Sequence, residues 1–156
     1  MDNAPLTIGQ PAPDFDLMDE TKAKVSLSSL RGKKLVLLFY PMDFSPTCTT
    51  EHCTFGPELP TLTGGSADVA VFGVSTDSPF SHAEYKSKYK IPYPLLADPT
   101  RKMVKAYGMF AGEEPFNCGK RGTVVIDPNG LVAAWQEVPM REPRDVKALQ
   151  ALIAGK

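Results

Sequence analysis

The 156-residue chain is 42% hydrophobic and 22% charged with a formal net charge of −1, a balance that fits one soluble globular domain, 1–156, built around a single substantial core. No basic footprint for nucleic acid and no dense basic stretch for a membrane surface is present, so small or neutral partners are expected. No window approaches a membrane span, and the opening MDNAPLTIGQPAPDFDL has neither the basic nor the apolar region of a secretory leader, so a cytoplasmic protein is expected.

In chain order, FDLMDETKAKVSLSSL reads as two short strands around a polar turn, an N-terminal β-hairpin. KKLVLLFY is a continuous apolar run, the pattern of a strand buried on both faces. A helix follows from about Ser45 to Leu62, with TGGS as its stop signal. VAVFGVST reads as a second buried strand, and an amphipathic helix starts after Ser78 with Pro79 suited to its first position. YPLLAD is a short strand, TRKMVKAYG a short helix stopped by Gly108, and EEPFNCGK a loop. GTVVIDPNGLVAAWQEV is a hairpin around Pro128, Asn129 and Gly130, and PRDVKALQALIAG is a closing helix with Val146, Leu149, Leu152 and Ile153 at apolar spacing. A β-α-β crossover, then an antiparallel hairpin and a last helix, predicts an α/β fold whose central mixed sheet carries helices on both faces; the thioredoxin-like fold has this order.

Three cysteines are too few, and too odd in number, for a secreted disulfide framework, and in a reducing compartment they point to thiol chemistry, metal binding or packing. Ligands of such sheets gather at the carboxyl ends of central strands, and the loop leaving KKLVLLFY is YPMDFSPTCTTEHC. Ser45 suits a helix N-cap and Pro46 the first helical position. Cys48 then falls in the first turn, where unpaired backbone N–H groups and the helix dipole favour a thiolate. Cys48 is therefore the leading nucleophile, with an inert buried cysteine as the plainer reading. A metal site is disfavoured, because Cys48, His52 and Cys53 offer three ligands from one helix and no second C-x-x-C pair exists. His52, on what reads as a polar face, and His82 are expected to be solvated helix residues.

FYPMDFSPTCTTEHC resembles the peroxiredoxin signature Pro-x-x-x-Thr/Ser-x-x-Cys, realised as Pro41, Ser45 and Cys48. FGVSTDSPFSHAEYKSKY, YPLLAD, KAYGM and KRGTVVIDPNG are similar to the bacterioferritin-comigratory or PrxQ branch, so the resemblance runs from about Ile8 onward. It implies a thioredoxin-like fold and a cofactor-free thiol peroxidase of the atypical 2-Cys type, a monomer acting on hydrogen peroxide and small organic hydroperoxides. Cys48 matches the peroxidatic position, where a thiolate attacks the O–O bond and becomes a sulfenic acid. Cys53 matches the resolving position found in part of the branch, with Cys118 second in line, and a thioredoxin or glutaredoxin-like protein would reduce the resulting disulfide. The family's arginine falls on Arg121 in CGKRGTVVID, with Lys120 the competing cation; an arginine offers several N–H donors and a permanent charge. On the same resemblance Ser45 orients the peroxide and Pro41 shields the pocket, while Thr47 stands where the branch often has glycine. Glu51 either pairs with an arginine near the site or only complements the helix dipole, and Phe44 and Phe55 either wall the site or belong to the core.

Ser45-x-x-Cys48 occupies the place of a thioredoxin's Cys-x-x-Cys. A hydroxyl there leaves Cys48 free for peroxide where a thiol would trap it, which disfavours a dithiol oxidoreductase; GKRGT also lacks the X-Pro pair that such proteins place opposite the cysteine. A peroxide sensor or chaperone-like redox protein using the same cysteine is the non-enzymatic alternative. Five residues of α-helix advance roughly 7.5 Å and separate the two Cα atoms by about 8.6 Å, beyond the roughly 7 Å that a disulfide spans. If Cys48 and Cys53 pair, the first turns of the helix must unwind, and Pro46, Thr47, Thr49, Thr50 and Thr54 supply little helix propensity there.

Overall fold

The computed structural model describes residues 3–155, apart from the side chain at position 61. A hairpin of β1 (Asp16–Met18) and β2 (Lys24–Ser26) is followed by a 3-10 turn, β3 (Lys34–Phe39), α1 (Pro46–Thr63), β4 (Val69–Ser75) and α2 (Pro79–Tyr89). Then come β5 (Leu95–Ala97), α3 (Lys102–Ala106), β6 (Gly122–Ile126), β7 (Val132–Glu137) and α4 (Val146–Ala154). The strands form one seven-stranded sheet in the order β2-β1-β5-β4-β3-β6-β7. β3, β4 and β5 are parallel, while β1, β6 and β7 join antiparallel. The mixed sheet and the N-terminal hairpin bear out the order read from the sequence.

The central place of β3 follows from its composition. Residues Leu35 to Phe39 are all buried, because alternate side chains leave on opposite faces and both faces are covered. Leu35, Leu37 and Phe39 pack with Phe15, Met103, Val104 and Tyr107 beneath α3. Val36, Leu38 and Tyr40 pack with Phe55, Tyr85, Leu149 and Ile153 beneath α1, α2 and α4. Each fully buried large apolar side chain contributes about 1.5–3 kcal/mol, so a strand feeding both layers fixes them against each other.

The helix ends follow local chemistry. Ser78 Oγ accepts from the Ser81 amide at 3.1 Å, and Asp145 accepts from the Ala148 amide at 3.0 Å. Gly108 stops α3 at a φ of +69°, and a Cβ there would lie 2.3 Å from the Ala4 carbonyl oxygen. α1 is less well supported: Pro57 and Pro60 lie inside it, and each removes an intrahelical N–H donor.

Two registers place the site. Phe39, the last residue of β3, pairs with Gly122, the first of β6, so the residue before Gly122 lies beside the chain that leaves β3. Gly122 is a glycine because of crowding. A Cβ there would sit 2.5 Å from Met109 Sδ and 2.7 Å from the Gln136 carbonyl oxygen. Gly122→Ala is expected to lower stability by about 1–3 kcal/mol through overpacking, seen as a lower urea midpoint at unchanged slope; an unchanged midpoint would show that the strand end yields freely.

Candidate active site

Cys48 is the third residue of α1 and is completely buried. Arg121 reaches it from the start of β6: Nη2 donates to Cys48 Sγ at 3.0 Å, Nη1 to Glu51 Oε1 at 2.6 Å, and Nε to the Met140 carbonyl at 3.0 Å. Glu51 stands one turn beyond Cys48 and is fully buried. A second arginine closes the other side. Arg144 Nη1 donates to Glu51 Oε1 at 2.5 Å, its backbone amide to Glu51 Oε2 at 2.7 Å, and its Nε to Thr123 Oγ1 at 2.8 Å. Its Nη2 is shared by the Phe39 and Gly122 carbonyls, so this guanidinium caps the ladder between β3 and β6.

Two guanidinium cations thus face a single carboxylate in a site withdrawn from water. Burial pulls the Arg144 pKa down, with the Glu51 charge opposing. With the sulfur as a neutral thiol, one positive charge in the group has no counterion; with the sulfur as a thiolate, two cations face two anions. Unpaired buried charge is expensive and paired, hydrogen-bonded charge much less so. The Cys48 sulfur is the atom beside this group that accepts from a guanidinium, Arg121 Nη2.

The remaining residues singled out from the sequence divide clearly. Pro41 is buried just beyond β3, and Ser45 immediately precedes α1. Ser45 Oγ donates to the Met42 carbonyl at 3.1 Å, and the Ser45 carbonyl accepts from the Thr49 amide at 2.9 Å. Thr47 is accommodated with its hydroxyl 3.4 Å from the Arg141 carbonyl. Lys120 pairs with Glu137 at 3.0 Å near the surface, leaving Arg121 as the cation at the sulfur. Cys53 is exposed on the same helix that buries Cys48, so the two thiols are not together in this structure. Cys118 is buried, and its pKa is raised first by burial and then by the charge of Cys48. Phe55 is a core residue, whereas Phe44 is exposed and packs its ring on Tyr85 with centroids 5.0 Å apart.

Both histidine expectations are overturned. His52 is 1% exposed and His82 is fully buried. The buried stripe of α1 runs through Cys48, Glu51, His52, Phe55 and Leu62 at helical spacing, and two polar members hid it. His52 bonds Tyr93 through Nδ1. Burial, followed by the charges of Arg144, Arg121 and His82, pulls the His52 pKa from 6.5 to about 3. His82 bonds Asp43 through Nδ1 at 2.8 Å and the Leu96 carbonyl through Nε2 at 3.0 Å. Asp43 also accepts from Tyr40 at 2.7 Å and from Ser81 at 2.8 Å, and its amide donates to Asp77 at 2.9 Å. This network ties the Pro41-to-Ser45 loop to the start of α2.

Arg144 and the Asp43–His82 pair are the site residues that sequence reading missed. Arg144 lies in REPRD, which reads as a solvated turn before a helix. Its partners lie 21 to 105 residues away, and no local pattern marks them.

A sheet of this order, with a buried cysteine in the first turn of the helix after β3 and an arginine donating to its sulfur, is a thioredoxin-like fold carrying a candidate thiol site. Residues 8–135 match the AhpC/TSA family, and the chain belongs to that family. It is 36% identical over 154 residues to peroxiredoxin Bcp of Bacillus subtilis, covering 94% of this chain and 95% of that protein. It is 34% identical over 160 residues to a mitochondrial thioredoxin-dependent peroxide reductase of Drosophila melanogaster, covering 96% of this chain and 67% of that one. The reduced 2-Cys peroxiredoxin of Plasmodium vivax superposes with a TM-score of 0.84 at 26% identity, over 96% of this chain and 81% of that one. The resemblance carried by the cysteine motif is thereby borne out across nearly the whole chain.

Removing Glu51 should expose the charge imbalance directly. Glu51→Ala removes the carboxylate that both buried guanidinium groups share and is expected to destabilise the fold by about 3–5 kcal/mol, measured by urea unfolding; a loss below about 1 kcal/mol would mean that the cluster is solvated.

Proposed function

We propose that the chain is a thiol peroxidase that reduces hydrogen peroxide and small organic hydroperoxides, with Cys48 as the peroxidatic residue. The observation that carries this reading is the Arg121 guanidinium donating to Cys48 Sγ at 3.0 Å inside a buried group that a thiolate would bring to neutrality. The Cys48 thiolate attacks one peroxide oxygen. An S–O bond forms as the O–O bond breaks, and the leaving alkoxide or hydroxide takes a proton to become alcohol or water, leaving Cys48 as a sulfenic acid. Arg121 holds the sulfur and the transferred oxygen through adjacent N–H groups. Ser45 Oγ has its proton committed to Met42 and so accepts from the peroxide O–H, while Pro41 keeps bulk water out. The full burial of Cys48 supports small substrates.

Cys53 is the resolving residue on this reading. Its sulfur attacks the sulfenic sulfur, hydroxide leaves as water, and a Cys48–Cys53 disulfide results. The two residues sit on opposite faces of one helix, so the first turns of α1 must open; Thr47, Thr49, Thr50 and Thr54 supply little helix propensity at that end. Cys118 is the poorer candidate, since burial and the nearby Cys48 charge both disfavour its thiolate. A thioredoxin-type dithiol then restores the cysteines by exchange, and the name of the Drosophila relative supports that choice. Because both thiols belong to one chain, one domain acting as a monomer completes the cycle. No described helix is long and apolar enough to cross a membrane, and we place the protein in the cytoplasm.

Peroxide loss in the presence of thioredoxin, its reductase and NADPH tests the reading. The unaltered chain and Cys118→Ser should turn over repeatedly, Cys53→Ser should consume about one equivalent and stall, and folded Cys48→Ser should consume none. Substantial turnover by Cys48→Ser would sink the assignment. Stoichiometric oxidation without turnover in the unaltered chain would favour a peroxide sensor.

A further inference from the structure

His52 sits in the catalytic helix in a setting that the peroxidase reading does not use. It lies one turn past Cys48 and next to Cys53, with its ring among three tyrosines: Tyr40, Tyr85 and Tyr93 have centroids 4.5, 5.5 and 5.7 Å away. Nδ1 is bonded to the Tyr93 hydroxyl, but Nε2 is buried with no hydrogen-bond partner. Leaving a buried polar atom unpaired forfeits the hydrogen bond that water would give it. The closed helix carries that penalty, and opening relieves it.

The ionisable groups around the ring offer no acceptor for a second N–H. On its own helix these are Cys48, Glu51 and Cys53, and Glu51 is already engaged by both arginines. Tyr40 approaches from the end of β3, Tyr85 and His82 from α2, and Tyr93 from the loop before β5. Arg121 and Arg144 act on it from the segments before β6 and α4, and both repel a proton.

We propose that His52 couples the opening of α1 to proton uptake: the closed helix holds the ring neutral, the opened helix delivers it to water where it binds a proton, and falling pH therefore favours the form in which Cys48 and Cys53 can join. The proposal rests on the reading that these two cysteines are the catalytic pair. With the pKa of His52 pulled from 6.5 to about 3 in the closed helix, both forms are neutral above pH 6.5 and the closed helix has its full stability. Below that pH only the open form takes up the proton, so closed-helix stability is lost progressively down to about pH 3. The opening equilibrium should then grow about tenfold between about pH 7.5 and 5.5.

Native-state hydrogen exchange on the full reduced chain carrying Cys48→Ser reads this opening, with the thiolate and its own titration removed. Protection factors of the amides from Thr49 to Phe55 should fall about tenfold over that pH range, while those of β3 and β4 stay constant. Adding His52→Gln, or His52→Ala, should abolish the fall. In the unaltered reduced protein, the ring signals of His52 in an NMR titration should not move between about pH 7.5 and 5. Flat protection with His52 present, the same fall in both His52 variants, or a ring that titrates at its ordinary value would each overturn the proposal. Disulfide mapping of the oxidised, unaltered chain separates the two readings. Absence of a Cys48–Cys53 bridge at every pH refutes the pairing and the proposal with it, whereas a bridge accompanied by pH-independent opening refutes the role of His52 alone.

Discussion

The Glu51 carboxylate, gripped by Arg121 and Arg144 beside the Cys48 sulfur, is the interaction on which the rest of the site depends. It joins the first turns of α1, the start of β6 and the segment entering α4 in one dry contact. Two guanidinium groups taken out of water would destabilise the fold if they were not matched, and the matching is nearly complete. Arg144 spends its donors on Glu51, Thr123 and two backbone carbonyls; Arg121 spends its own on Glu51, Met140 and the sulfur. The Cys48 sulfur thus sits against a charge group that packing of the fold has already assembled.

The scaffold around this group is unequal in strength. On the sheet side, β3 is buried on both faces and paired along its length with β4 and β6. On the loop side, the Asp43–His82 pair and its tyrosine and serine partners hold the approach to α1. The helix after Cys48 is held through Glu51 and Phe55, but it also contains two prolines, several threonines and a buried histidine with an unpaired nitrogen. Any rearrangement that brought Cys48 and Cys53 together would also have to move Glu51, which lies between them, against its bonds to Arg121 and Arg144.

Much of this was legible in the sequence, and the reason differs between elements. β3 and β4 are visible as continuous apolar runs, β6 and β7 through the turn residues between them, α2 because Ser78 starts it locally, and α4 because its apolar residues keep helical spacing. Cys48 and Arg121 were visible because a first-turn cysteine and the KRGTVV stretch resemble a known motif. For Glu51 the sequence leaves pairing with an arginine or complementing the helix dipole open, and the structure selects the pairing. His52 and His82 read as solvated because a histidine in a core position breaks the apolar period, and only their tertiary partners, Tyr93 and Asp43, reverse that reading. Each partner lies dozens of residues away, where a single sequence carries no signal of contact.

On the proposed function, the forked geometry of Arg121, and not positive charge alone, makes the Cys48 sulfur reactive. The most direct measurement is the rate at which Cys48 is oxidised by hydrogen peroxide in Arg121→Lys, a substitution that keeps the charge but cannot donate at once to the sulfur, Glu51 and Met140. A fall of about a hundredfold or more is expected, with the fold intact. A lysine variant that reacts within a few-fold of the unaltered protein would contradict it.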